Sequence, residues 1–295
     1  MIVYHRIGGG ASGDAKREIL PAIATADFRA QLQHLRAAYT VVRAAEIVEA
    51  VHARVHRSRF PVAITFDDDL ESHVREARGV LAELGLTATF FLTGTSLRGP
   101  HTFWWEDLQR AIDDRLVDGS GIPYVPRTSV EAALARTPKA IFGVADAIML
   151  LEREQRAEVA SVLRSAVGPP GSTSGLRDAD LRTLVESGFD VGFHTVDHEA
   201  LTQLSDADLS VALVEGRGAL AAAAGREIDL IAYPHGKGDE RVASAARAAG
   251  FTRGFVTGRR AVPPGVDPLL IPRLVPPADP GKLALRLAHA LRTEM

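Results

Sequence analysis

Cysteine is absent from all 295 residues, so neither disulfide staples nor thiolate chemistry contribute to this chain. The absence leaves the redox compartment open. Long apolar runs are missing as well, and no stretch approaches the ~20 residues needed to span a bilayer. Met1-Ile-Val-Tyr-His-Arg6 has no basic stretch followed by an apolar core, so no export signal is read and a cytoplasmic location is the default expectation. Neither sign of charge dominates. A formal net charge of −3 gives no electrostatic reason to expect nucleic acid or an anionic membrane as partner. Internal repeats and low-complexity tracts are lacking too. What is present is ordinary for a soluble globular protein, 46% hydrophobic and 24% charged, at a length of one barrel-type domain or two small ones.

Short β-branched apolar segments alternate with amphipathic ones. The expected strands are Ile2–His5, Pro61–Phe66, Thr87–Thr93, Asp190–His194, Leu230–Tyr233, Phe251–Thr257 and Leu269–Arg273. Between them the pattern predicts helices over Ala26–Ala38, Arg43–His56, Leu70–Leu84, Asp178–Ser187, Ser205–Ala224 and Glu240–Ala249. Such alternation argues for a parallel sheet with crossover helices. Asp178 and Ser205 suit N-cap positions, and Gly85, Gly188 and Gly250 suit positions just past helix ends. From about residue 98 to 173 the rhythm breaks into a helical run Glu106–Arg115 and an Ala/Glu/Arg-rich segment Ala140–Ala166, before Pro169–Ser174 returns the chain to the next unit. This stretch reads as a helical insertion between the third and fourth strands of a single domain spanning 1–295. Connections of that length are often functional.

The segment Pro61-Val-Ala-Ile-Thr-Phe-Asp67-Asp68-Asp69 runs from apolar residues into three carboxylates. Two unit charges at contact distance repel by roughly 4 kcal/mol at an effective dielectric near 20. Water, a proton or a cation must relieve that repulsion. One or two acids at a strand-to-helix junction are explained by helix capping, but three are not. Val191-Gly-Phe-His194-Thr-Val-Asp-His198 also leaves a strand for polar residues and places two histidines four apart, as on one helix face. Both segments fall at strand C-terminal ends, the edge where α/β active sites collect. Two histidines and an aspartate with an open position form a common hydrolytic metal set. The zinc-protease pattern requires glutamate after the first histidine, where this chain has Thr195.

Thr65-Phe66-Asp67-Asp68 followed by His194-Thr195-x-x-His198 resembles the polysaccharide deacetylase family (NodB homology, carbohydrate esterase family 4), whose signatures are Thr-Phe-Asp-Asp-Gly and His-Ser/Thr-x-x-His. Tyr4-His5-Arg6, Ala232-Tyr233-Pro234-His235-Gly236, Gly250-Phe251 and Pro272-Arg273 resemble further landmarks in order, so the likeness covers about residues 1 to 275. The resemblance implies a distorted (β/α)7 barrel. It implies one divalent metal ion, usually zinc with cobalt or nickel able to serve, on Asp68, His194 and His198. Asp67 would be the general base, and a backbone N–H near Pro234-His235 would help stabilise the oxyanion. The substrate would be an N-acetylated amino sugar, in a polysaccharide, an oligosaccharide or a glycan precursor.

Several positions depart from the family. Asp69 stands where glycine is usual, and is expected to cap a helix or touch substrate. Leu230 replaces the arginine that orients the catalytic aspartate, which makes Arg273 the candidate substitute. The late Leu-x-His acid motif is matched only by Leu287-Ala288-His289 in an amphipathic segment, so His235, and after it His5, are candidate general acids. His5, Tyr233, Pro234 and Trp104 are the other candidate substrate contacts, although tryptophan more often serves a core. Two other readings stand beside deacetylation: hydrolysis of another small C–N bond such as a formamide, and a catalytically silent carbohydrate-binding protein.

Overall fold

The computed structural model describes residues 1–8, 17–99, 101–168 and 175–292. By its internal contacts the chain forms two compact units, one from Met1–Gly10, Ala22–Gly99 and Leu176–Met295, the other from Ala11–Pro21 and Pro100–Gly175.

The larger unit is built on β1 (Ile2–Tyr4), β2 (Ile64–Asp67), β3 (Thr89–Leu92), β4 (Asp190–Phe193), β5 (Leu230–Ala232), β6 (Arg253–Thr257) and β7 (Ile271–Arg273). Each strand pairs in parallel with the next in the chain. An isolated parallel bridge, Ile2 to Leu274, joins the first strand to the last, so the sheet nearly closes as the expected distorted (β/α)7 barrel. Six of the seven expected strands are present with shifts of one or two residues at their ends; the expected Pro61–Phe66 is divided, with Pro61–Val62 pairing with Thr40–Val41 in a separate two-stranded sheet and Ile64–Asp67 joining the barrel.

Alternation along the strands sorts side chains between two cores. Ile64 and Phe66 of β2, Phe90 of β3 and Ile231 of β5 join the larger core with helical residues such as Phe28, Leu32 and Leu81. Phe91, Leu230, Ala232, Phe255 and Ile271 form the other, with Ala44 and Ile47. Gly192 is required by that second core: a Cβ there would stand 2.4 Å from the Phe91 ring. Thr65, Asp67 and Arg273, on the alternate positions of their strands, are buried but polar.

The helical expectations hold in outline and fail at particular residues. Ser205 caps its helix by accepting the Asp208 N–H, but Asp178 is the first helical residue rather than the cap. The segment Ser205–Ala224 is two helices, Asp206–Val214 and Arg217–Ala224, because Gly216 takes a left-handed conformation (φ 76°) between them. Leu70–Leu84 opens with a π-helical turn, His73–Ala77, before continuing as an α-helix. Arg43–His56 is shorter than expected, a 3₁₀ turn at Ala44–Glu46 followed by helix Ile47–His52.

The smaller unit contains helices Trp104–Asp113, Arg127–Leu134, Ala140–Met149 and Arg153–Val167, which lie in sequence between β3 and β4. They share an apolar core that includes Leu108, Val130, Val144 and Leu163. The expected long run Ala140–Ala166 is thus two helices, and Arg127–Leu134 was not expected. The return segment Pro169–Ser174 lies outside the described residues. No helix among the described residues is long and apolar enough to cross a membrane.

Candidate active site

Asp67 ends β2, Phe193 ends β4 and Ala232 ends β5, so the loops that follow them emerge at one rim of the barrel. Those loops are locally strained. Asp68 (φ 72°), Thr195 (φ 52°), His198 (φ 49°) and His235 (φ 58°) all occupy the left-handed region. That conformation costs an L-residue on the order of 1 kcal/mol or more, and clusters of it mark functional sites. The two histidines consequently meet across a turn, closed by the His198 N–H on the Thr195 carbonyl, and not along a helix face as the four-residue spacing suggested.

The three adjacent carboxylates are all buried, and each has a different relationship to its surroundings. Asp67 faces Arg273, whose Nη1 and Nη2 donate to Oδ1 and Oδ2 at 2.6 Å each. Arg273 has no solvent exposure, also donates to the Thr65 hydroxyl, and lies 5.3 Å from the Phe91 ring and 5.8 Å from Phe255. Burial alone would raise the Asp67 pKa, but the guanidinium charge and its hydrogen bonds outweigh that and hold it at about 2. The carboxylate is therefore ionised at working pH.

Asp68 Oδ1 lies 3.6 Å from His194 Nε2 and 3.4 Å from His198 Nε2. His194 Nδ1 is 2.8 Å from the Ala232 carbonyl, which fixes the proton on Nδ1 and turns the Nε2 lone pair toward Asp68. Burial lowers the pKa of both histidines; for His198 the neighbouring His235, His194 and His5 lower it further, so both rings are neutral donors. One ligand atom from each of the three residues lies within 4.8 Å of the others. Tetrahedral ligands at about 2.1 Å from zinc stand about 3.4 Å apart. A carboxylate and two neutral imidazoles at these spacings fit such an ion. Asp67 Oδ2 is 4.0 Å from His194 Nε2, so a second carboxylate stands beside this cluster.

Asp69 serves the fold. It has no exposure, its Oδ1 accepts the Thr93 N–H just past β3 (2.6 Å), and its carbonyl accepts the Leu176 N–H. Asp69→Ala is expected to cost about 1–3 kcal/mol by leaving the Thr93 amide unpaired, with KM unchanged. A raised KM at unchanged melting temperature would instead make it a substrate contact. Tyr233 is packed in the core: it is fully buried, its hydroxyl donates to the Leu269 carbonyl, and burial raises its pKa. Pro234 is buried beside it.

His235 Nε2 lies 3.2 Å from the His198 carbonyl, and the two rings are 4.6 Å apart. His5 is half-buried, with its pKa lowered to about 4 by burial despite the nearby Asp67 charge. Its carbonyl lies 3.2 Å from Nε2 of His73, a fully buried ring packed on Phe66 and Phe90. Sequence reading missed His73, because a lone histidine inside an amphipathic segment gives no signal until the π-helical turn is seen. His289 is exposed on helix Pro280–Arg292. Trp104 packs against the core of the helical unit, edge-on to Trp105.

The family model described as polysaccharide deacetylase matches residues 54–118 and 152–254. With more than half of its length matched, the chain belongs to the polysaccharide deacetylase family. No curated protein matches it. Among solved structures it is similar to the deacetylase PplD of Streptococcus pyogenes in complex with acetate, at 16% identity over 97% of this chain and 96% of that one, with a TM-score of 0.64. It is also similar to IcaB from Ammonifex degensii, at 19% identity over 98% and 95% with a TM-score of 0.59. A de-N-acetylase from Aggregatibacter actinomycetemcomitans aligns at 14% identity over 93% of each chain with a TM-score of 0.58. At these identities the likeness speaks to the fold.

Proposed function

We propose that this protein is a metal-dependent hydrolase that removes N-acetyl groups from an amino sugar in a polysaccharide, oligosaccharide or glycan precursor. The observation that carries the reading is the pairing of two carboxylates with opposite environments: Asp68 facing two neutral imidazoles, and Asp67 held ionised by Arg273. A divalent ion on Asp68, His194 and His198 would acidify a water molecule and polarise the acyl oxygen.

The chain's own residues supply the rest. Asp67 accepts the proton of the attacking water at the oxygen nearer His194. Arg273 holds the Asp67 carboxylate ionised and fixed in orientation, so that it is free to accept that proton, at some cost in basicity. His235 is the first choice to deliver a proton to the leaving amine and His5 the second, since both imidazoles stand beside the cluster. Asp69, bonded to backbone, removes one reason for regarding the protein as a silent sugar binder.

The test uses zinc- or cobalt-loaded protein with chito-oligosaccharides and other acetylated and formylated amino sugars, beside ureides. Release of acetate with matching free amine is expected, and Asp67→Asn should reduce it at least 100-fold at unchanged metal content. Equal turnover by Asp67→Asn sinks the assigned base. Turnover of formamides or ureides alone replaces the proposed substrate class.

A further inference from the structure

The larger unit has a second concavity, at the opposite end of the strands from the carboxylates. Met1 before β1 and Val62 before β2 line it, and its volume is ≈ 230 Å³. The walls are apolar, formed by residues including Val51, Phe60, Val262 and Leu287, and interrupted by the guanidinium groups of Arg54 and Arg260. No aspartate or glutamate among the described residues lines it.

Arg54 is the informative residue. Its guanidinium stacks on the Phe60 ring at 3.6 Å, and Nη2 donates to the Ser58 carbonyl. Its Nε is buried and has no hydrogen-bond partner among the described residues. A buried donor left unmade is costly, and a guanidinium edge is the group best suited to pair with a planar or tetrahedral anion. Arg54 and Arg260 are the charged side chains among the described residues that line the cavity, and both are cationic.

A sugar fits these walls poorly, because its hydroxyls need polar partners that the apolar side chains do not offer. An apolar tail with an acidic head fits them well. At ~30 Å³ per water-sized group the volume accommodates about eight such groups, the size of an eight-carbon chain.

We propose that this cavity binds a single-chain anionic amphiphile, with its tail against the apolar wall and its carboxylate or phosphate head on Arg54 and Arg260. The site is separate from the deacetylase centre and does not depend on the reading given to that centre.

Calorimetric titration with monomeric octanoate, octyl phosphate and octanol tests it. Octanoate or octyl phosphate should bind saturably at one site, octanol at least tenfold more weakly, and the better anion identifies the head group. Each pair of methylenes removed should weaken binding by about tenfold. Arg260→Gln, at an exposed position, and Arg54→Met should each weaken octanoate binding at least tenfold while circular dichroism is unchanged. Should Arg54→Met fail to fold, Arg260→Gln and Val51→Phe, which adds bulk to the wall, supply the same readout. Equal affinity for octanol, or undiminished binding by Arg260→Gln, overturns the proposal. So does binding to phosphatidylglycerol vesicles without binding of monomeric octanoate, which would mark a membrane-docking surface instead.

Discussion

Arg273→Met is expected to destabilise the protein by about 3–5 kcal/mol, because it strands the Asp67 carboxylate without its counter-charge in a buried site. Arg273 makes two 2.6 Å hydrogen bonds to Asp67 and has no exposure, so no water molecule can replace the guanidinium without rearrangement. Activity should fall with stability, and a single variant cannot separate the two effects. The double variant Asp67→Leu/Arg273→Met does. Replacing both members of a buried pair with apolar groups of similar size is often close to neutral, so urea unfolding should show most of the lost stability recovered while turnover stays absent. A double variant no more stable than Arg273→Met would mean that the pair is not the interaction that matters. Acid titration gives a second check. Asp67 has its pKa lowered from 3.8 to about 2, so its contribution is present above about pH 4 and is lost as the pH falls toward 2. In the double variant that acid-labile component should be missing.

Chelation is the second large effect. Removing the divalent ion with a strong chelator, or replacing Asp68 with asparagine, should lower turnover at least 1,000-fold. Added zinc should restore the chelated wild type but not Asp68→Asn. Because an ion that binds only the folded state stabilises it by about 2.7 kcal/mol at 100 times its Kd, zinc should also raise the melting temperature of the wild type. Asp68→Asn and His198→Gln should show a much smaller rise. Wild-type turnover unaffected by exhaustive chelation would remove the metal from the mechanism.

Strands and motif positions were readable in the sequence because each depends on short-range pattern. The β-branched runs mark the seven strands, and the abrupt change to Asp67-Asp68 and His194-Thr-Val-Asp-His198 marks their ends. The pairing of Asp67 with Arg273 spans 206 positions, and only the missing arginine at Leu230 pointed to it. Asp69 was left between a helix cap and a substrate contact because its partner, the Thr93 N–H, is a backbone atom that any residue could supply. The partner of Tyr233 was hidden for a related reason: a tyrosine beside a motif proline reads the same whether its hydroxyl faces a ligand or the Leu269 carbonyl. The histidine spacing gave the right neighbours by the wrong geometry. A period of four suggests a helix, whereas the left-handed conformations of Thr195 and His198 bring the rings together across a turn. Backbone strain of that kind leaves no compositional trace when the residues are not glycine.

The closing bridge between Ile2 and Leu274 has a consequence for how the protein comes into being. A ribosome makes Asp67, Asp68 and Asp69 long before it makes Arg273. Until β7 emerges and docks between β6 and β1, the carboxylate at the end of β2 has no guanidinium, and the wall that isolates it from water is missing one stave. The electrostatic completion of the site is thus deferred to the last strand of the barrel. A nascent chain halted before Arg273 is expected to carry every proposed metal ligand and still lack a settled place for its base.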